Sequence, residues 1–302
     1  MSSTTSIQCR MLCASADAYG IDDNGNYTPR EPYTTAVGWD TTHPQVAIAK
    51  GDDDIDACLV GKNGDGIIVA FRGTLPPYPI TAPGLLDWWQ DIIDAEPITV
   101  GSIPGKVHSG FWTAISKLWD DIVTQVTNFQ NWFPGSDLYV TGHSKGGGMA
   151  PIYAANLSFN YSSMLQPTAI YTFACPHPGD TGFASGFPLS TMPITRYENY
   201  LDIVPMLPPT EEFIELAADI PYVGSLFAKA EGWDYTSVGT LQYIEQNHSI
   251  EGDNPLLTAE RLGELVLAML KGESGFEEIA AAHSLACGGG YATAVCPTGV
   301  CS

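Results

Sequence analysis

Leu138-Tyr139-Val140-Thr141-Gly142-His143-Ser144-Lys145-Gly146 is the stretch on which the reading of the fold turns. Its first four residues form an apolar run of strand type, and the small-residue stretch Gly147 to Ala155 behind it is of helix type. Gly142 to Gly146 therefore falls on a strand-to-helix turn. A Gly-x-Ser-x-Gly string alone says little, since glycine and serine are common in ordinary loops. In this context it has a steric logic. A serine presented on so tight a turn sits in strained backbone, and its flanking residues must be small for strand and helix to approach. Gly142 and Gly146 meet that demand, which makes Ser144 the candidate nucleophile.

Working outward, Ile7 to Tyr19 is helix-like and Gly20 to Thr42 is rich in turn residues. Short apolar runs follow at Val46–Ala49, Ala57–Gly61 and Gly66–Arg72, the last two joined by a Lys62-Asn63-Gly64-Asp65 hairpin signal. Phe111 to Trp132 has helical periodicity and leads into the elbow strand. Two more strand-like runs, Ala169–Cys175 and Ile194–Tyr200, come after the elbow helix. Leu256 to Leu270 reads as an amphipathic helix opened near Asn254-Pro255, the end of a helix that tolerates proline. Strands alternating with helices predict an α/β fold with a mainly parallel central sheet flanked by helices. No repeat or linker divides the chain, so residues 1–302 read as one domain.

With 44% hydrophobic and 15% charged residues the chain is of globular type and long enough to bury a full core. No run of roughly 18 apolar residues is present, so no transmembrane segment is expected. The N-terminus does not resemble a signal peptide, which leaves a cytoplasmic protein or a secreted one whose signal has been removed. Thirty-four acidic against 12 basic residues give a net charge of −22. That field repels nucleic acid and anionic surfaces and suits neutral partners. Asp52-Asp53-Asp54 and Asp56 lack the spacing of a calcium loop and read as a solvated turn. Seven cysteines leave at least one free thiol, and their placement suggests no disulfide framework beyond a bridge within the tail.

A serine hydroxyl is a poor nucleophile at neutral pH. Ser144 needs a histidine to take its proton, and that histidine needs a carboxylate to fix its tautomer. Asp202 stands just past the strand-like run Ile194–Tyr200, where a loop at the carboxyl end of the sheet would hold it beside the elbow; Asp180 and Asp219 are weaker substitutes. The chain order Ser, Asp, His leaves His248 and His283. His283 follows the helical run Phe276–Ala282, whereas His248 lies in the polar stretch Glu245-Gln246-Asn247 and reads as an exposed loop residue. Of the other histidines, His43 reads as a loop residue, His108 and His143 as structural hydrogen-bonding groups, and His177 as a neighbour of the site. The oxyanion requires two donors. The backbone N–H of Lys145 supplies one, and Thr74, ending a strand after Gly73, is the candidate for the other.

Six blocks in order resemble the class 3 lipase family, the fungal-lipase-like branch of the α/β hydrolases. They are Phe71-Arg72-Gly73-Thr74, Trp88 with Asp91-Ile92, Val107-His108 with Gly110-Phe111, the elbow, Thr172-Phe173 with Pro176 and Gly179, and Asp202-Ile203-Val204-Pro205 with Leu207-Pro208-Pro209. Ala282-His283-Ser284-Leu285 with Tyr291 resembles the family's late histidine block. The resemblance implies an α/β-hydrolase fold and a serine carboxylic-ester hydrolase, a lipase or esterase. Its triad would be Ser144, Asp202 and His283 and its oxyanion hole Thr74 and Lys145. It implies no cofactor and no metal, a neutral ester or lipid substrate, transient contact with a lipid interface and no nucleic-acid partner. Hydrolysis restricted to short, aryl or polymeric esters is the alternative activity. A non-catalytic lipase-like interaction module is the alternative from another class.

The sequence departs from the family at three places. Lys145 stands where leucine is usual. The family's lid helix is replaced by a stretch containing Pro76, Pro77, Pro79 and Pro83, which disfavour a helix, so a stiff lid-like loop is expected over 75–87. Leu75, Tyr78, Ile80, Leu85, Leu86 and Trp88 would face the substrate there. An apolar insertion at about 210–232 would form part of the acyl pocket or simply pack in the core. Arg72 would pair with Asp91 or lie on the surface.

Overall fold

The apolar runs become strands of one eight-stranded sheet. In spatial order these are Val46–Lys50, Ala57–Lys62, Ile67–Phe71, Leu138–His143, Ala169–Phe173, Ile194–Asn199, Thr240–Ile244 and Ile250–Glu251. The computed structural model describes residues 5–51, 56–74, 82–254, 256–297 and 300. Ile67–Phe71 through Thr240–Ile244 run parallel, and antiparallel strands close both edges. The 62–67 hairpin expected from Asn63-Gly64 is present, with Lys62 opposite Ile67. Phe71 is level with Gly142 and Gly142 with Thr172, so the residues following these strands emerge at one edge of the sheet.

Both faces of the sheet are covered, which is why its central strands read as unbroken apolar runs. Cys58, Val60, Ile67, Val69 and Phe71 pack on one side against the helices Ser109–Trp132 and Lys145–Asn160. Leu59, Ile68 and Ala70 face the other way, toward the first helix, Ile7–Ala18, and the C-terminal helix Gly290–Val295. Period-two alternation sorts these residues between two cores. In the helix Ser109–Trp132, Phe111, Ala114, Ile115, Leu118, Ile122, Val126 and Phe129 are buried, the three-and-four spacing of one apolar face. No helix among the described residues is long and apolar enough to cross a membrane.

Four expectations are corrected. Cys9 in the first helix is bridged to Cys296, 287 residues away, and Cys287 is also disulfide-bonded, so cysteine chemistry does staple this fold. Spacing alone could not show that the two ends of the chain meet. Closing so long a loop restricts the unfolded chain and contributes on the order of 2–5 kcal/mol. Cys13 lies beside the bridge with its thiol pKa pushed up to about 12, chiefly by burial, so it is not a ready nucleophile toward it. Second, the loop expected over 75–87 is helical from Ala82, in a helix running to Ile93. Pro83 lies in its first turn, where an N–H has no intrahelical partner anyway. Leu75, Tyr78 and Ile80 lie outside the described residues. Third, Asp56 is buried and not solvated; Asp52 to Asp54 lie outside the description. Fourth, Arg72 is buried and donates to the carbonyl oxygens of Ile21 and Asp22, while Asp91 is exposed. The Arg72 guanidinium therefore ties the end of the strand Ile67–Phe71 to the N-terminal segment.

The insertion forms the helices Glu211–Ala217 and Val223–Phe227, with Phe213, Val223 and Phe227 fully buried in the core. A second, four-stranded antiparallel sheet of two-residue strands joins Pro97–Ile98, Val107–His108, Gly179–Asp180 and Tyr235–Thr236. Pieces so short leave no periodic signal in sequence.

Candidate active site

The turn at Ser144 is strained as its sequence predicts. Ser144 has φ 59° and ψ −131°, a region that residues with a side chain avoid. The surrounding contacts show why both glycines are required. A Cβ on Gly142 would lie 2.2 Å from the Gly146 carbonyl oxygen, and one on Gly146 would lie 2.3 Å from the carbonyl oxygen of Phe71. The elbow helix is thus pressed against the end of the strand Ile67–Phe71. Thr74, half-buried, leaves that strand three residues on, and Gly73 sits against the His143 carbonyl oxygen, where a Cβ would come within 2.7 Å. The backbone of Thr74 is in this way carried to the N-terminus of the elbow helix, where Lys145 is the first residue.

Asp202 and His283 meet. Asp202, essentially buried, has both carboxylate oxygens 3.0 Å from His283 Nδ1. Its remaining capacity is filled by the Val204 N–H at 3.0 Å and the Tyr291 hydroxyl at 2.6 Å. Tyr291 Oη also accepts the backbone N–H of Asn199, and the Asn199 amide donates to the Ala282 carbonyl. The end of the strand Ile194–Asn199 is thereby tied to the C-terminal segment from which His283 projects. Burial and the neighbouring Asp202 charge hold the Tyr291 phenol well above its usual pKa, so it remains a donor.

His143, inside the elbow, fixes His283 from the other side. Its Nε2–H donates to the His283 carbonyl oxygen at 2.8 Å while Nδ1 accepts from the Tyr19 hydroxyl at 2.7 Å. Burial pushes the His143 pKa well below 6.5, consistent with a neutral ring that donates at one nitrogen and accepts at the other. The two histidine rings lie 4.5 Å apart. Trp88, half-buried in the helix Ala82–Ile93, meets the His283 ring edge to face at 4.9 Å. Trp89 beside it is buried in the core.

Buried polar atoms without a hydrogen-bond partner include Ser144 Oγ and His283 Nε2. Buried groups are normally satisfied, and those that are not call for a reason. Neither atom has a hydrogen-bond partner, and the two are not hydrogen-bonded to each other. Ser144 is fully buried, and the His283 side chain is 14% exposed.

The other histidines lie elsewhere. His248 is in an exposed turn with φ 67°, and His43 stacks on Trp132. His108 caps the helix Ser109–Trp132 through Nδ1 and donates from Nε2 to the Ile92 carbonyl. His177, expected near the site, donates from Nδ1 to the Pro208 carbonyl and lines a separate cavity of about 180 Å3 with Arg196, Glu198 and Arg261. Glu198 takes both guanidiniums.

A family model described as "Lipase (class 3)" matches residues 68–212, the span from the third strand through the Asp202 loop. Over this span the chain resembles the class 3 lipase family. Among curated relatives, a lipase of Rhizomucor miehei is 29% identical over 49% of this chain and 39% of its own. A phospholipase A1-II 4 of Oryza sativa subsp. japonica is 27% identical over 56% and 48%. A secreted mono- and diacylglycerol lipase 3 of Gibberella zeae is 27% identical over 54% and 51%. The chain thus spans about half or less of the length of these relatives. Among solved structures, a mutant form of MDLA from Penicillium cyclopium superposes with a TM-score of 0.60 at 15% identity, covering 95% of this chain and 96% of that one. The Rhizomucor miehei lipase–propeptide complex gives 0.53 at 23% identity, over 81% and 70%. These likenesses establish the α/β-hydrolase fold.

Sequence reasoning missed the partners that hold the site. Tyr19 lies more than a hundred residues from His143, and Asp56 pairs with Lys145 across a similar gap. Asp17 is a buried hub that accepts from the Tyr27 hydroxyl, the Arg30 N–H, the Thr34 hydroxyl and the Trp39 indole N–H. An aspartate inside an otherwise apolar helix was the only sequence signal for it.

The buried neutral histidines set a pH limit. Burial lowers His108 and His177 to about 4 from an ordinary 6.5. As pH falls, the unfolded chain takes up these protons first, so stability present above pH 6.5 is lost between about 6.5 and 4. His177→Asn, whose amide can replace the Nδ1–H donor, is expected to flatten that loss by about 1.4 kcal/mol per pH unit. Denaturant unfolding of both proteins across this range measures it. Parallel stability–pH curves would refute the assignment.

Proposed function

We propose that this chain is a serine carboxylic-ester hydrolase working through an acyl-enzyme. The observation that carries the reading is the pair of buried, unclaimed atoms, Ser144 Oγ and His283 Nε2, on an imidazole whose Nδ1 faces Asp202. With Asp202 accepting the Nδ1–H, Nε2 is the free base. It takes the Ser144 proton as Oγ attacks the ester carbonyl, then returns it to the leaving alcohol. Water repeats the sequence in reverse to release the acid. The N–H groups of Lys145 and Thr74 receive the oxyanion, and the half-charge at the start of the elbow helix adds to them.

The substrate is a neutral ester with an apolar acyl group. A net charge of −22 disfavours anionic surfaces, and Trp88 over His283 offers an aromatic wall. The names of the relatives, lipases of fungi and a plant phospholipase A1, point to lipid esters. Leu86 and Trp88, both half-buried on the helix Ala82–Ile93, line the mouth. Since Ser144 has no exposed surface, substrate enters only when the cover over it shifts. All three triad members are present, which argues against a scaffold that has lost its chemistry.

Hydrolysis of p-nitrophenyl esters from short to long acyl chains tests this. Turnover is expected, with a preference for longer chains. A profile confined to the shortest or to aryl esters would replace the lipid-ester reading with the restricted esterase, and no turnover of any ester by folded protein would leave the interaction module.

A further inference from the structure

Building on the ester-hydrolase reading, we infer that the Lys145–Asp56 ion pair is a strap that positions the oxyanion loop Arg72–Thr74. The strand Ile67–Phe71, from which that loop emerges, lies between Ala57–Lys62 and the elbow strand Leu138–His143. Asp56 immediately precedes the first of these neighbours, and Lys145 opens the helix that follows the second. Lys145 Nζ reaches Asp56 Oδ1 at 2.5 Å. The pair therefore joins the two elements that flank the loop, across two strand spacings of about 4.8 Å each. The Arg72 N–H donates to the Ala57 carbonyl at 2.9 Å, which ties the base of the loop to the same anchor. The pair is well shielded, with the Asp56 side chain 8% and the Lys145 side chain 23% exposed.

The charges belong together. An ammonium at the first residue of a helix faces the positive end of the helix dipole, so Lys145 depends on its counter-ion there. The reverse holds for Asp56, a buried carboxylate at the head of a strand. The consequence for catalysis is alignment. Two N–H groups, on Lys145 and on Thr74, must aim at one oxygen, and they come from different elements separated by a loop. Close approach of Gly146 to Phe71 and of Gly73 to the His143 carbonyl fixes their spacing at the turn itself. The ion pair adds a further point of attachment and prevents the elbow helix from rotating about those contacts. Lys145 and Asp56 are positioning residues in this account, acting through the backbone that Lys145 carries.

Steady-state kinetics on a p-nitrophenyl ester test the strap. Asp56→Asn and Lys145→Met are expected to lower kcat by about ten- to a hundredfold with little change in KM, since a misaligned donor is lost mainly in the transition state. An alkyl boronic acid, which forms a tetrahedral adduct at the serine, should lose affinity by a similar factor. Asp56→Glu, which keeps the charge, should recover most of the kcat that Asp56→Asn loses. The double variant Asp56→Asn/Lys145→Met separates alignment from folding, because removing both charges restores thermal stability lost by either single change but leaves kcat low. Variants with wild-type kcat per folded molecule, or an Asp56→Glu no better than Asp56→Asn, would overturn the strap and leave the ester-hydrolase reading intact. Wild-type protein that turns over no ester and binds no boronate would overturn both.

Discussion

Ser144→Ala is expected to lower kcat for ester hydrolysis by about 10⁴–10⁶-fold and to leave the protein at least as stable as before. Activity falls because no other nucleophile is placed to form the acyl-enzyme. What survives comes from the oxyanion donors and binding, which the substitution does not touch. Stability holds for a reason particular to this site. Ser144 Oγ is buried without a partner, so its removal relieves a desolvated hydroxyl worth about 1–3 kcal/mol, and alanine accepts the φ of 59° no worse than serine does. The measurement is turnover beside thermal unfolding. A Ser144→Ala protein that keeps more than a trace of activity would remove Ser144 from the chemistry, and one that fails to fold would show that the hydroxyl is structural.

His283→Ala should cost a comparable factor, about 10⁴–10⁶ in kcat, while His248→Ala changes nothing. The contrast follows from surroundings. His283 has Asp202 on Nδ1, a buried and open Nε2, Trp88 against its ring and the His143 N–H on its carbonyl oxygen. His248 sits on an exposed turn. The backbone bond from His143 does not depend on the imidazole, so the segment at residue 283 keeps its place in the variant and the loss is chemical. Hydrolysis rates of the two variants on one soluble ester decide it. An inactive His248 variant beside an active His283 variant would reverse the assignment.

Much of this was legible because it is local. Gly142 and Gly146 are dictated by contacts within one turn, and the strand register follows from apolar runs on both sides of it. Asp202 could be placed because a residue just beyond a parallel strand emerges at the catalytic edge. The remainder depends on chain meeting chain. Nothing near Tyr19 announces that its hydroxyl will reach His143, and nothing in Asp52-Asp53-Asp54-Ile55-Asp56 marks Asp56 as a partner of Lys145. Cys9 and Cys296 look unrelated until the first and last helices share a core. The lid was misjudged by counting prolines without regard to position: Pro83 in a first turn starts a helix, and only the prolines before it oppose one.

The most direct test of the central claim is covalent. A fluorophosphonate should phosphonylate the folded protein once, at Ser144 by peptide mass spectrometry, with ester hydrolysis lost in step with labelling. Labelling at another residue, or none on protein that is folded and turns over esters, would contradict the mechanism.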